Sequence, residues 1–243
     1  MEKVQFALKS LRLSGMAKTL PERIQEAKAN DLGCLEFIER LVDDEIGRRR
    51  DNLINRRLKS AHFPALRTLD EFDFSFNPAI PKKEVKELAS CRFIHEANNI
   101  LFIGPPGVGK THLATAIGIH AVQNAYTTYY RSAFDLVDDL AEASRENTRK
   151  RAIASLTKQQ LLIIDEFGMK KMPLNAADDF LEIIHRRHGQ ASTIIATNRP
   201  IEDWGVILGD NAATSAILDR FLQNAVIFAM KGKSYRMNKR KDA

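Results

Sequence analysis

Only two of the 243 residues are cysteine, Cys34 and Cys91, and their separation fits no metal-ligand spacing. Two cysteines exclude a disulfide framework and read as reduced thiols of a cytosolic protein. No stretch approaches the ~18 uncharged apolar residues of a membrane-spanning helix. The opening MEKVQFALKS carries charges where a signal peptide needs an apolar run. Internal repeats and low-complexity tracts are lacking. Histidine offers no metal site, because His185 and His188 have no third ligand near them and Arg186 and Arg187 intervene. Residues 2–62 hold one proline, Pro21, and three glycines, Gly15, Gly33 and Gly47, so little interrupts helix there.

What is present supports a folded core. Hydrophobic residues make up 44% of the chain, which excludes wholesale disorder. The net charge of +6 is unevenly spread: +3 in residues 1–66, −2 in 67–230 and +5 in the last 13. Basic ends on a near-neutral body suggest a polyanion partner, although a basic tail is also often only a solvated end.

Apolar residues recur at helical spacing in Phe6, Leu8, Leu11 and Leu13, then in Leu35, Ile38, Leu41, Val42 and Ile46. Two to four helices are expected, with a turn near residues 30–33. A basic cluster comes next, with Leu53, Ile54 and Leu58 toward a core and Arg48, Arg49, Arg56, Arg57 and Lys59 available to phosphates. Residues 63–81, with three prolines and repeated phenylalanine, read as an extended linker whose aromatics pack onto the next domain. Residues 82–97 read as one short helix. From 99 on, strands at 99–103, 127–131, 161–165, 193–197 and 225–229 alternate with helices at 133–146, 176–188 and 213–221. Such alternation predicts an α/β fold with a parallel sheet covered on both faces. The expected organisation is a helical domain at 1–66, a linker and entry helix at 67–98, a nucleotide-binding core at 99–230 and a basic tail at 231–243.

Four motifs carry chemistry. Gly104, Pro105, Pro106, Gly107, Val108, Gly109, Lys110 and Thr111 come after an apolar strand and open a helix. This is the phosphate-cradling sequence in its expected context. Backbone N–H groups would ring a phosphate, Lys110 would reach the outer phosphates of ATP, and Thr111 would ligate Mg²⁺. The run ending in Asp165 and Glu166 delivers two carboxylates at a strand's C-terminal edge, where α/β sheets bind ligands. Asp165 would hold Mg²⁺ through its water shell, and Glu166 would polarise an attacking water. A third strand ends in Asn198, which is either an amide facing the same edge or a turn former before Pro200. Arg220 lies late in the chain. By residue type it reads as a surface arginine paired to an acid, or as a donor to a neighbouring subunit's nucleotide.

In this order and spacing, GPPGVGKTHLA, LLIIDE, TNRPIEDW, AILDRF and GKSYR closely resemble the IstB-like ATPases. These are transposition helpers of bacterial insertion sequences, in the AAA+ clade of DnaC helicase loaders and DnaA initiators. The resemblance runs over nearly the whole chain. It implies an AAA+ three-layer sandwich with a five-stranded parallel sheet, a helical N-terminal domain and a reduced or missing C-terminal lid. Lys110 and Thr111 match Walker A, Asp165 and Glu166 match Walker B, and Asn198 matches sensor 1. Arg220 matches the arginine finger, although Phe221 beside it replaces the usual Leu. Arg236 falls where a sensor 2 arginine or a DNA contact would lie. Arg145, Arg149, Lys150 and Arg151 fall in a region that faces the central channel in initiator-type relatives. The implied function is a slow, cytoplasmic, DNA-coupled ATPase that oligomerises on duplex DNA and recruits its transposase. The alternatives are a DnaC-like helicase loader and a nucleotide-dependent DNA scaffold without productive hydrolysis.

Overall fold

Short runs of Ile, Leu, Val and Phe form the centre of the fold. The computed structural model describes residues 1–173 and 175–235. By contacts the chain divides into two units, residues 1–56 and 57–243.

The first unit holds α1 (Glu2–Ser10), α2 (Ser14–Ala29) and most of α3 (Cys34–Ser60), which continues across the boundary. The start of α2 leaves unsatisfied N–H groups, and Glu45 of α3 caps them. Its carboxylate accepts from Gly15 N at 2.6 Å and Met16 N at 3.3 Å. Burial works against this charge, but Arg49 and the two N–H groups outweigh burial and hold the carboxyl below its usual range.

The second unit continues through α4 (Lys82–Leu88), α5 (Arg92–His95), β1 (Asn99–Ile103), α6 (Lys110–Gln123) and β2 (Thr128–Ser132). Then come α7 (Ala133–Arg145), α8 (Arg149–Thr157), β3 (Leu161–Phe167), α9 (Ala176–Arg187) and β4 (Ser192–Thr197). A 3-10 turn leads to α10 (Trp204–Leu208), α11 (Asn211–Leu222) and β5 (Ala225–Ala229). The five strands are all parallel, in the order β2-β3-β4-β1-β5. Side chains alternate across the sheet. Leu162 and Ile164 face a core built with α7 to α11, while Leu161 and Ile163 face one built with α4, α5 and α6. Phe63, Phe72 and Phe74 of the 63–81 segment pack against that second core.

Two expectations are corrected. The helix expected over 82–97 is broken after Leu88, because Cys91 takes a left-handed conformation (φ +60°) that ends one helix and starts the next. Helix α8 has no counterpart among the expected helices: its nine residues, RKRAIASLT, carry only two large apolar side chains, Ile153 and Leu156, too few to mark an apolar stripe.

Candidate nucleotide site

The connection from β1 runs through α6 to β2 on one side of the sheet, while the chain after β4 crosses β1 to reach β5. The C-terminal ends of β1 and β4 therefore bound a crevice where strand order reverses, the usual ligand position in open α/β sheets. The two ends are joined there, with Gly104 N–H donating to the Thr197 carbonyl at 3.2 Å.

Residues 104–109 form the loop expected from the sequence. Gly109 caps α6 at φ +104°, and a side chain there would run into the Phe72 ring at 2.5 Å. Gly107 sits at φ +83°, with the Ser234 hydroxyl occupying the space a Cβ would need. Both glycines are therefore required by backbone angle and by close approach. Lys110 Nζ donates to the carbonyls of Gly104 (2.7 Å) and Pro105 (2.8 Å), which holds the ammonium over its own loop. Thr111 stands on the first turn of α6, half-buried. The end of α6 adds its positive dipole to the same spot.

Beside the loop lies a cavity of about 490 Å³. One wall is Gly107 to His112 with Thr115; another comes from Phe72, Phe76 and Asn77. Phe72 stands edge-on to His112 at 5.2 Å, and the His112 Nε2–H group donates to the Thr68 carbonyl at 2.8 Å. Tyr235 closes one side, donating its N–H to the Gly107 carbonyl at 3.0 Å and meeting Phe76 edge-on at 5.0 Å. Asn77 is buried, and its Nδ2 has no hydrogen-bond partner among the described residues. The sequence places these aromatics against the core without marking them as cavity walls; the phenylalanine spacing at 72, 74 and 76 is the signal that could have shown it.

Asp165 is 2% exposed at the end of β3. Its Oδ1 accepts from Glu166 N–H at 2.8 Å, and its Oδ2 accepts from the Tyr130 hydroxyl at 2.7 Å. Tyr130 carries no motif, so sequence reasoning misses it. Glu166 is exposed and left-handed, at φ +56°. The ladder between β3 and β4 passes from Ile164↔Ile195 to Phe167↔Thr197, so two residues oppose one. This bulge turns the Glu166 side chain out of the sheet while Asp165 stays in. Asn198 comes just after β4, and its buried Oδ1 has no partner among the described residues. A carboxylate and a hydroxyl are the hard oxygen donors that Mg²⁺ prefers, so Asp165 and Thr111 suit that ion.

The other candidates lie elsewhere. Arg220, on α11, donates through Nε to His185 Nδ1 at 3.1 Å and through Nη1 to the Ala216 carbonyl at 3.0 Å. Its side-chain partner on α9 is thus a histidine rather than an acid. Arg149 is held by Asp179 (2.6 Å) and Glu182 (2.7 Å), so its charge is compensated within the fold. Arg145, Lys150 and Arg151 are exposed around the same turn. In the first unit, Arg48 bonds the Ser14 hydroxyl at 3.1 Å and Arg49 pairs with Glu45 at 2.7 Å, while Arg56 is exposed. Farther along α3, Arg57 is half-buried and Lys59 exposed. Arg236 lies outside the described residues.

A family model described as IstB-like ATP binding protein matches residues 6–243. A protein of Geobacillus stearothermophilus, named for ATP binding in insertion sequence IS5376, is 35% identical over 99% of this chain and 96% of its own. Among solved structures, the DnaC helicase loader is similar with a TM-score of 0.52 at 24% identity, covering 62% of this chain and 90% of that one. AMPPCP-bound DnaA from Aquifex aeolicus is similar with a TM-score of 0.60 at 20% identity, covering 74% of this chain and 55% of that one. The two structures show the fold, an AAA+ P-loop sandwich.

Proposed function

The chain belongs to the IstB-like ATP-binding family, and from that premise we propose that it is an ATP-dependent helper of DNA transposition. ATP binding favours an oligomer on duplex DNA, that assembly recruits the element's transposase, and slow hydrolysis dissolves it in the cytoplasm. The observation that carries this reading is a convergence at one sheet edge. The glycine cradle with Lys110, the buried Asp165 and the amide oxygen of Asn198, which has no partner among the described residues, all stand at the ends of β1, β3 and β4. The insertion-sequence name of the Geobacillus relative supports the transposition context.

In this reading the triphosphate lies along the N–H groups of residues 104–109, and Lys110 trades the Gly104 and Pro105 carbonyls for phosphate oxygens. The adenine end extends into the cavity beside Phe72 and Phe76. Thr111 and Asp165 hold Mg²⁺, which neutralises charge on the outer phosphates when bound. Glu166, turned out of the sheet by the bulge, orients and polarises the attacking water, and Asn198 fixes that water against a phosphate oxygen. Arg220, on α11, serves a neighbouring subunit in this reading, where an arginine stabilises the transferring phosphoryl group. Duplex contacts come from phosphate-directed Arg48, Arg49, Arg56, Arg57 and Lys59, and from Arg145, Lys150 and Arg151, with Arg149 bracing the turn.

Light scattering and negative-stain imaging with duplex DNA test the proposal. Assembly should require ATP, and Arg220→Ala should lower hydrolysis by about 10³-fold, the lower end for an arginine finger. Equal assembly with and without ATP would overturn it. Preference for single strands over duplex would favour helicase loading instead.

A further inference from the structure

Asp165 is oriented from outside its own motif. Tyr130 lies on the neighbouring strand, in register with Ile163, so its side chain shares a face with Ile163 and Asp165. Leaning toward the strand ends, its hydroxyl reaches Asp165 Oδ2 at 2.7 Å, and both residues are more than nine-tenths buried. With Glu166 N–H on the other oxygen, each carboxylate oxygen takes one fixed donor. Each keeps lone-pair capacity, enough for the water shell of a cation. Tyr130 is itself fixed. Its N–H donates to the Ala61 carbonyl at 2.8 Å, and its ring meets Phe63 at 6.4 Å.

We propose that Tyr130 is a positioning residue for Asp165, locking the carboxylate in the rotamer that receives the nucleotide-bound metal. The inference rests on the reading of Asp165 as the metal-side carboxylate. Partners of this kind commonly change metal affinity by ~10–100-fold when removed.

The test is the affinity of a fluorescent ATP analogue, measured in EDTA and across a Mg²⁺ titration, for wild type, Tyr130→Phe and Asp165→Asn. Phenylalanine keeps the ring packing and removes only the donor. Tyr130→Phe should bind the analogue normally in EDTA and need about tenfold more Mg²⁺ to reach half-maximal tightening. Asp165→Asn should raise that requirement further. An unchanged Mg²⁺ midpoint in Tyr130→Phe, with Asp165→Asn shifted, overturns the role of Tyr130 alone. No shift in Asp165→Asn overturns the reading of Asp165 on which it rests. Weaker binding of Tyr130→Phe in EDTA and Mg²⁺ alike also overturns the inference, since a general packing role would act on both.

Discussion

At the scale of single residues, two neighbours with the same functional group are given different surroundings. Asp165 is buried with a donor on each oxygen, while Glu166 stands exposed at φ +56° in a bulge. A left-handed residue other than glycine carries strain of ~1–3 kcal/mol, held in place by the surrounding sheet. The bulge separates the two carboxylates: one faces inward and is buried, the other faces outward and is exposed. Replacing Glu166 by Gln keeps the side-chain shape and removes the carboxylate proposed to polarise water. Single-turnover phosphate release should fall by ~10²-fold or more, while nucleotide affinity stays close to wild type. Unchanged phosphate release would leave a nucleotide-gated scaffold as the better description. The adjacent pair of acids was legible in the sequence, but the bulge that gives them different surroundings was not, because it depends on the β4 register.

At the scale of elements, Arg187 ties the end of α8 to the starts of the neighbouring strands β3 and β4. It is the last residue of α9 and 1% exposed. Burial works against its charge. Four acceptors compensate: the carbonyls of Leu156, Gln159 and Ser192, and the Thr193 hydroxyl. One side chain thus fastens the end of α8, the turn into β3 and the start of β4. Arg187→Met should fit the space but leave three carbonyls without their donor. Urea unfolding should show a loss of about 3 kcal/mol at near-constant m, as expected for orphaned buried polar groups. A loss under ~0.5 kcal/mol would mean that water reaches those carbonyls. In the sequence Arg187 is one of two arginines separating two histidines, and nothing local marks it as buried. The strands of this region were legible, since buried parallel strands are uniformly apolar.

At the scale of the whole molecule, charge divides between the two units. The first unit holds Arg48, Arg49 and Arg56, and the second holds Arg57, Lys59, Arg145, Lys150 and Arg151. Arg149 differs from its neighbours, since its ion pairs with Asp179 and Glu182 brace α8 against α9. Duplex affinity should therefore fall linearly with the logarithm of salt concentration. Joint replacement of Arg145, Lys150 and Arg151 by Ala should reduce that slope by as much as ~2.7, at ~0.9 per phosphate contact. Replacement of Arg149 should instead lower stability and leave the slope close to wild type. An unchanged slope in the triple variant would move the DNA contact away from the α7–α8 turn.

The sequence alone determined the chemistry available and the order of the sheet-forming segments. A phosphate loop, a pair of acids and apolar strand runs are local patterns, written in residues that are neighbours along the chain. Only the tertiary structure decided how these pieces act on one another. It set Tyr130 on Asp165, Phe72 and Phe76 opposite the phosphate loop, and Arg220 beside His185. It also committed Arg149 to internal ion pairs while leaving Lys150 exposed. The physical reason is distance along the chain. These contacts join residues about 35 apart, and strand pairing and helix packing, rather than local propensity, fix which of them meet.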